Sequence, residues 1–137
     1  MNQENKTGMG RLQVIVNTAG GSLPVADAAV TVYGADTEND NTGILYSLRT
    51  DISGLTEYVD LAAPPRDLSL TPGNPAPYAR YNIAVHRDGY GTVRNIGVPV
   101  FDGVLSTQRV TLIPLSEFET DREERIVESV PGLNPLL

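Results

Sequence analysis

Short runs of apolar residues spaced two apart recur along this chain, and that period constrains the fold more than any other feature. Leu12, Val14 and Val16 alternate with Gln13, Ile15 and Asn17; Ala28, Val30 and Val32 with Ala29, Thr31 and Tyr33; Tyr81, Ile83 and Val85 with Asn82, Ala84 and His86. Successive side chains of a strand point to opposite faces, so each run buries one face as a strand. Further strands are expected over 44–50, 55–61, 92–101, bent at Gly97 or Pro99, and 106–113. Turn chemistry separates them. Asp51-Ile52-Ser53-Gly54, Asp88-Gly89-Tyr90-Gly91 and Asp102-Gly103 combine side-chain acceptors with glycines that tolerate positive φ. About seven short strands punctuated in this way predict an all-β fold, a seven-stranded Greek-key β-sandwich.

The remaining segments are organised around that body. Residues 1–9 form a polar leader, residues 10–115 the sandwich, and residues 116–137 an acidic tail with an apolar end. Pro64, Pro65, Pro72, Pro75 and Pro77 interrupt the stretch before Tyr81. Proline lacks the N–H a ladder needs, so a long excursion is expected there, with Leu68-Ser69-Leu70 as a short edge strand within it. Ser116 followed by Glu119 fits a capping box, so the tail is expected to be helical over 116–129 or irregular.

Composition narrows the chemistry. The chain has 137 residues, no cysteine, no tryptophan and a net charge of −7, with Lys6 as its one lysine. Disulfides, thiolate metal sites and cysteine nucleophiles are excluded. An acidic chain without a basic cluster is repelled by phosphate backbones, so no nucleic-acid partner is expected, and no membrane insertion, since no apolar run reaches spanning length. The polar N-terminus has no apolar signal core, which predicts a soluble cytoplasmic protein, with spore or cell-surface association left open.

Four segments, in order, resemble the carboxypeptidase regulatory-like domain of the transthyretin-like (prealbumin-like) superfamily. They are Gly10-Arg-Leu-Gln-Val14 with Leu23-Pro24-Val25-x-x-Ala28-x-Val30-x-Val32; Thr50-Asp51-x-x-Gly54; Tyr81-x-Ile83-x-Val85-x-x-x-Gly89-Tyr90; and Gln108-x-Val110-x-Leu112-x-Pro114-Leu115. The resemblance implies a bacterial accessory domain that carries no reaction of its own and serves folding, spacing or partner contact. A narrower likeness, in the proline-rich insert and the Pro-Gly-Leu-Asn-Pro-Leu-Leu ending, is to domains beside spore-cortex-lytic and peptidoglycan-binding modules. The hydrolase branch of the superfamily depends on several histidines and a C-terminal Tyr-Arg-Gly-Ser motif, which this chain lacks.

No catalytic residues and no cofactor are expected. His86 is the lone histidine and falls on the polar face of its strand. Ser53-Gly54 reads as a turn, since a nucleophile elbow needs Gly-x-Ser-x-Gly between strand and helix. Asp36, Glu38 and Asp40 space carboxylates at alternate positions and are a weak calcium candidate, although the EF-hand pattern would need Gly at Asn41 and Glu at Ser47. Lys6 lies in the leader, so an internal isopeptide bond is not expected. The tail carries a net −4, yet it also holds Ile126, Val127, Val130, Leu133, Leu136 and Leu137. Apolar side chains at an acidic terminus are costly in water, so these six are the expected partner-binding residues, for a protein partner or self-association. Two functions stay open: an accessory or scaffolding module making protein–protein contacts, and a carbohydrate or peptidoglycan binder using exposed tyrosines among Tyr33, Tyr46, Tyr58, Tyr78, Tyr81 and Tyr90.

Overall fold

The computed structural model describes residues 8–34, 43–66, 77–117 and 124–128. Among them are nine strands: β1 (Gly8–Thr18), β2 (Leu23–Pro24), β3 (Ala29–Gly34), β4 (Ile44–Arg49), β5 (Val59–Ala63), β6 (Ala79–His86), β7 (Thr92–Val100), β8 (Leu105–Leu112) and β9 (Glu124–Glu128). They form a sandwich of two sheets, as the period of two demanded. In the first sheet β1 is central. One of its edges pairs in parallel with β8 over Arg11–Thr18. The other is shared by β5 at Gly8–Leu12, a single bridge at Leu55, and β2 at Asn17–Thr18. The second sheet runs β4-β3-β6-β7-β9.

The predicted apolar faces meet between the sheets. Leu12, Val14 and Val16 of β1, with Val110 and Leu112 of β8, pack against Val30 and Val32 of β3 and Ile83 and Val85 of β6, all nearly without solvent contact. Aliphatic burial of this kind is the main favourable term, at about 25 cal/mol per Å² of apolar surface.

The expected bend in β7 is a bulge. Ile83 pairs with Asn95 but Tyr81 pairs with Val98, so β7 holds an extra residue at this point. Gly97 takes φ 78°, and its N–H donates to Asn82 Oδ1 at 3.0 Å. The offset returns Val98 and Val100 to the core and leaves Pro99, paired with Arg80 but with no N–H to donate, half-exposed.

The Thr50-Asp51-x-x-Gly54 segment folds as its chemistry predicts. Buried Thr50 donates its hydroxyl to Val25 O and accepts from Ala28 N, clasping the turn into β3. Asp51 Oδ1 accepts from the N–H groups of Ser53 and Leu55. Gly54 sits at φ 81° with its carbonyl taking Val16 N–H at 2.8 Å, and a Cβ there would lie 2.4 Å from Val16 O. Gly89-Tyr90-Gly91 is likewise fixed: Leu115 N–H donates to Gly89 O and Gly91 N–H to Ile113 O, while Tyr90 packs over the end of the core.

Three expectations change. The strand expected over 55–61 begins at Val59, and its start is reduced to the bridge at Leu55. The helix expected over 116–129 is replaced by a 3-10 turn at Leu115–Glu117 and by β9, which runs parallel to β7 with Thr92 opposite Glu124 and Ile96 opposite Glu128. Tertiary pairing at an open sheet edge outweighs the local capping signal. The short strand expected at Leu68–Leu70 lies outside the described residues.

Candidate interaction surface

The expected site residues scatter. Ile126 and Val127 lie on β9, where alternation sends them opposite ways: Ile126 is 60% exposed, whereas Val127 is half-buried against the core. Val130, Leu133, Leu136 and Leu137 fall outside the described residues, as do Lys6 and the calcium candidate Asp36, Glu38 and Asp40. Among the described residues no three His, Cys, Asp or Glu side chains come together as a metal site would require. His86 is exposed, with Nδ1 3.0 Å from Thr92 Oγ1 and Nε2 3.4 Å from Asp88 Oδ1. Tyr58, just before β5, is 42% exposed, but Arg11 lies over its ring at 5.7 Å, on a face a sugar would stack on.

The start of the proline-rich excursion is pinned to the β7–β8 turn. Asp102 accepts the N–H groups of Arg66 at 2.8 Å and Met9 at 3.1 Å. These two backbone donors hold its carboxyl below the usual carboxylate range. At the opposite end of the sandwich, Thr18, Leu23, Tyr90, Leu112 and Pro114 line a groove of about 350 Å³. Its hydroxyls are turned inward: Thr18 donates to Leu112 O, and Thr111 to Asn17 Oδ1. At its rim Ala19 takes φ 56°, a left-handed conformation that costs a residue with a Cβ about 1–2 kcal/mol.

The sheet edges differ in ways the sequence did not announce. A bare edge offers unpaired N–H and C=O groups to any incoming strand. On β4 the pairing slips at Leu45, because Val32 and Tyr33 oppose Tyr46 and Ile44; this bulge breaks the edge. On β7 the edge is covered by β9. On β5, Asp60 O and Ala62 O accept the phenol hydroxyls of Tyr46 and Tyr81. Burial pushes the Tyr81 phenol above its ordinary 10.0, with the neighbouring Tyr46 adding to the shift. Among the described residues β8 has no bulge and no covering strand. Its eight-residue register against β1 is unbroken, and Leu105, Thr107 and Arg109 are exposed on its outer face. The Gln108 side-chain amide folds back to donate to Arg109 O at 3.1 Å. Sequence reading missed this edge; its one available signal was a strand without Pro, Lys, Asp or Glu from Leu105 to Leu112.

No helix among the described residues is long and apolar enough to cross a membrane. No family model matches the chain, and no curated protein matches it. Among solved structures it is similar to wild-type catechol 1,2-dioxygenase of Acinetobacter radioresistens, at 14% identity and TM-score 0.50, covering 90% of this chain and 59% of that one. It is also similar to catechol 1,2-dioxygenase of Pseudomonas arvilla C-1, at 14% identity and TM-score 0.50, covering 85% and 55%. GBS52, a minor pilin of Streptococcus agalactiae, matches at 12% identity and TM-score 0.50, covering 83% and 48%. The chain therefore spans about half to three-fifths of the length of these proteins. At such identity the likeness is one of fold, a transthyretin- or Ig-like β-sandwich. It also corrects one expectation. The chain was expected to be no enzyme because its sandwich lacks a catalytic motif. The same kind of sandwich occurs within solved dioxygenases, so the fold gives no ground for that exclusion.

Proposed function

We propose that this chain is an accessory sandwich module of the carboxypeptidase-regulatory kind whose work is protein–protein contact, made through its C-terminal segment. The observation that carries this reading is the division of labour on β9. Val127 is held against the core while its neighbour Ile126 is presented to solvent, 60% exposed, on a strand attached to the sheet edge. A branched aliphatic group fixed in that way costs free energy in water and gains it when a partner covers it. A cell-surface or spore setting is part of the proposal, supported by the sandwich shared with a minor pilin and by the resemblance of the insert and ending to domains beside wall-lytic modules.

The test uses the full chain. A photoreactive amino acid at position 126, introduced in native cells, is expected to cross-link a discrete protein, and Ile126→Glu is expected to reduce recovery of that protein at least about tenfold, the equivalent of 1.4 kcal/mol. Equal recovery with wild type and Ile126→Glu would remove the tail from the contact surface.

A further inference from the structure

We propose that β8 is a self-pairing edge, through which two copies of this chain join antiparallel across a two-fold axis at Gln108 and extend the four-stranded sheet of one into that of the other. It is independent of Ile126, which lies on β9 in the other sheet.

Edge strands invite pairing, and chains blunt them with bulges, covering strands or charge. Here β4 carries a bulge at Leu45, β7 is covered by β9, and the carbonyls of Asp60 and Ala62 in β5 are taken by phenols. β8 is straight over eight residues, and between Leu105 and Leu112 it has no Pro, Lys, Asp or Glu. At its middle an edge carbonyl, Arg109 O, is satisfied by the adjacent Gln108 side chain, a substitute for the N–H of a neighbouring strand.

Residues opposite one another in an antiparallel pair share a face, so a two-fold axis must pass through a residue. An axis at Arg109 would set one guanidinium against its copy. An axis at Gln108 sets Gln108 against Gln108, Thr107 against Arg109 and Ser106 against Val110. Gln108 can both donate to and accept from its copy, and the Thr107 hydroxyl can accept from Arg109. Like β4, β8 carries no carboxylate, so two copies of a chain of net charge −7 meet there without carboxylates on the joining strand. The same patch on both copies closes the assembly at two, and the four-stranded sheets become one of eight. Met9, 53% exposed, and Val104, 42% exposed, flank Leu105 at the end of the strand and extend the apolar part of the contact.

The register makes the test a matter of sign. Thr107 of each copy faces Arg109 of the other, twice per dimer. Thr107 and Arg109 are exposed, so substitutions there leave the core untouched. Sedimentation velocity of the full chain over a concentration series is expected to show a monomer–dimer equilibrium. Thr107→Lys is expected to weaken it, and Thr107→Glu to strengthen it, each by about two- to tenfold from two cross-strand charge pairs. Because the chain has no cysteine, Thr107→Cys mixed with Arg109→Cys is expected to give disulfide-linked dimers. Either variant alone gives far fewer, since like positions stand two residues out of register. A monomer throughout the series, a dimer that both charges at 107 shift in the same direction, or cross-links no more frequent in the mixture than in the single variants would overturn the proposal. Loss of this dimer with the position-126 cross-link intact would leave the tail reading standing, and the reverse result would do the opposite.

Discussion

The two sheets treat their edges differently. The five-stranded sheet ends on one side in β4, which a bulge at Leu45 distorts, and on the other in β9, a five-residue strand laid along β7. The four-stranded sheet closes one side of β1 by piecing together β5, Leu55 and β2, and leaves β8 straight on the other. Both sheets share one aliphatic core, so the asymmetry is not a matter of burial. It lies in where backbone hydrogen-bonding groups end up, and it separates surfaces that are finished from those able to accept another chain.

The largest expected effect tests the pieced side of β1. Gly54 combines φ 81° with a backbone carbonyl where a Cβ would stand, and its own carbonyl serves Val16 N–H. Gly54→Ala is expected to destabilise the fold by about 2–4 kcal/mol, from the left-handed penalty and the contact with Val16 O. Urea unfolding measures it; a loss under about 1 kcal/mol would mean this side of β1 adapts, and the contrast with β8 would weaken.

Next in size is the phenol closure of β5. Tyr81→Phe removes the donor to Ala62 O inside the sandwich and is expected to cost about 1–2 kcal/mol, as an unsatisfied carbonyl does. Its pH dependence has a defined sign. Burial raises the folded phenol above 10.0, so the native state favours the neutral form. That contribution is fully present below pH 10 and is lost as pH rises through the folded value. Wild type should therefore lose stability above pH 10 more steeply than Tyr81→Phe. Parallel curves would show that the hydroxyl does not titrate in the fold as its burial requires.

Much of this was legible in the chain. The strands β1, β3, β6 and β8 follow from period-two runs, and Thr50-Asp51-x-x-Gly54 carries its own turn chemistry. The bend in β7 was visible at Gly97 and Pro99, although not the Asn82 side chain that holds it. The edges were not legible, because pairing joins residues far apart: Glu124 meets Thr92, and Tyr81 reaches Ala62. Glu124-Arg-Ile-Val-Glu128 reads locally as a charged helix because the open β7 edge that makes it a strand is nowhere near it in sequence. The partner-binding residues were legible only as apolar groups in an acidic tail; which one faces outward required the sheet.

A third substitution sharpens the β9 side and has the opposite sign. Asn95 is 4% exposed on the inner face of β7, opposite Val127, and its side-chain amide has no hydrogen-bond partner among the described residues. Asn95→Val replaces a buried polar group by a β-branched apolar one and is expected to stabilise the chain by about 1 kcal/mol. Destabilisation instead would mean that the amide is satisfied within the fold.

The smallest effect discriminates best. Val127 is half-buried, and Val127→Ala removes two methyl groups of which only part is shielded, so the global loss should be about 1 kcal/mol or less. The local consequence should be larger than the global one, because β9 packs chiefly on β7. A strand attached along one edge opens without unfolding the rest, so its protection falls by the full cost while the core keeps its own. Hydrogen exchange should therefore accelerate in β9 and at the β7 amides facing it, between Thr92 and Ile96, with β1, β3 and β6 unchanged. If exchange rises equally across both sheets, β9 is an integral strand of the sandwich, and the edge it covers is closed as permanently as the one broken by the bulge in β4.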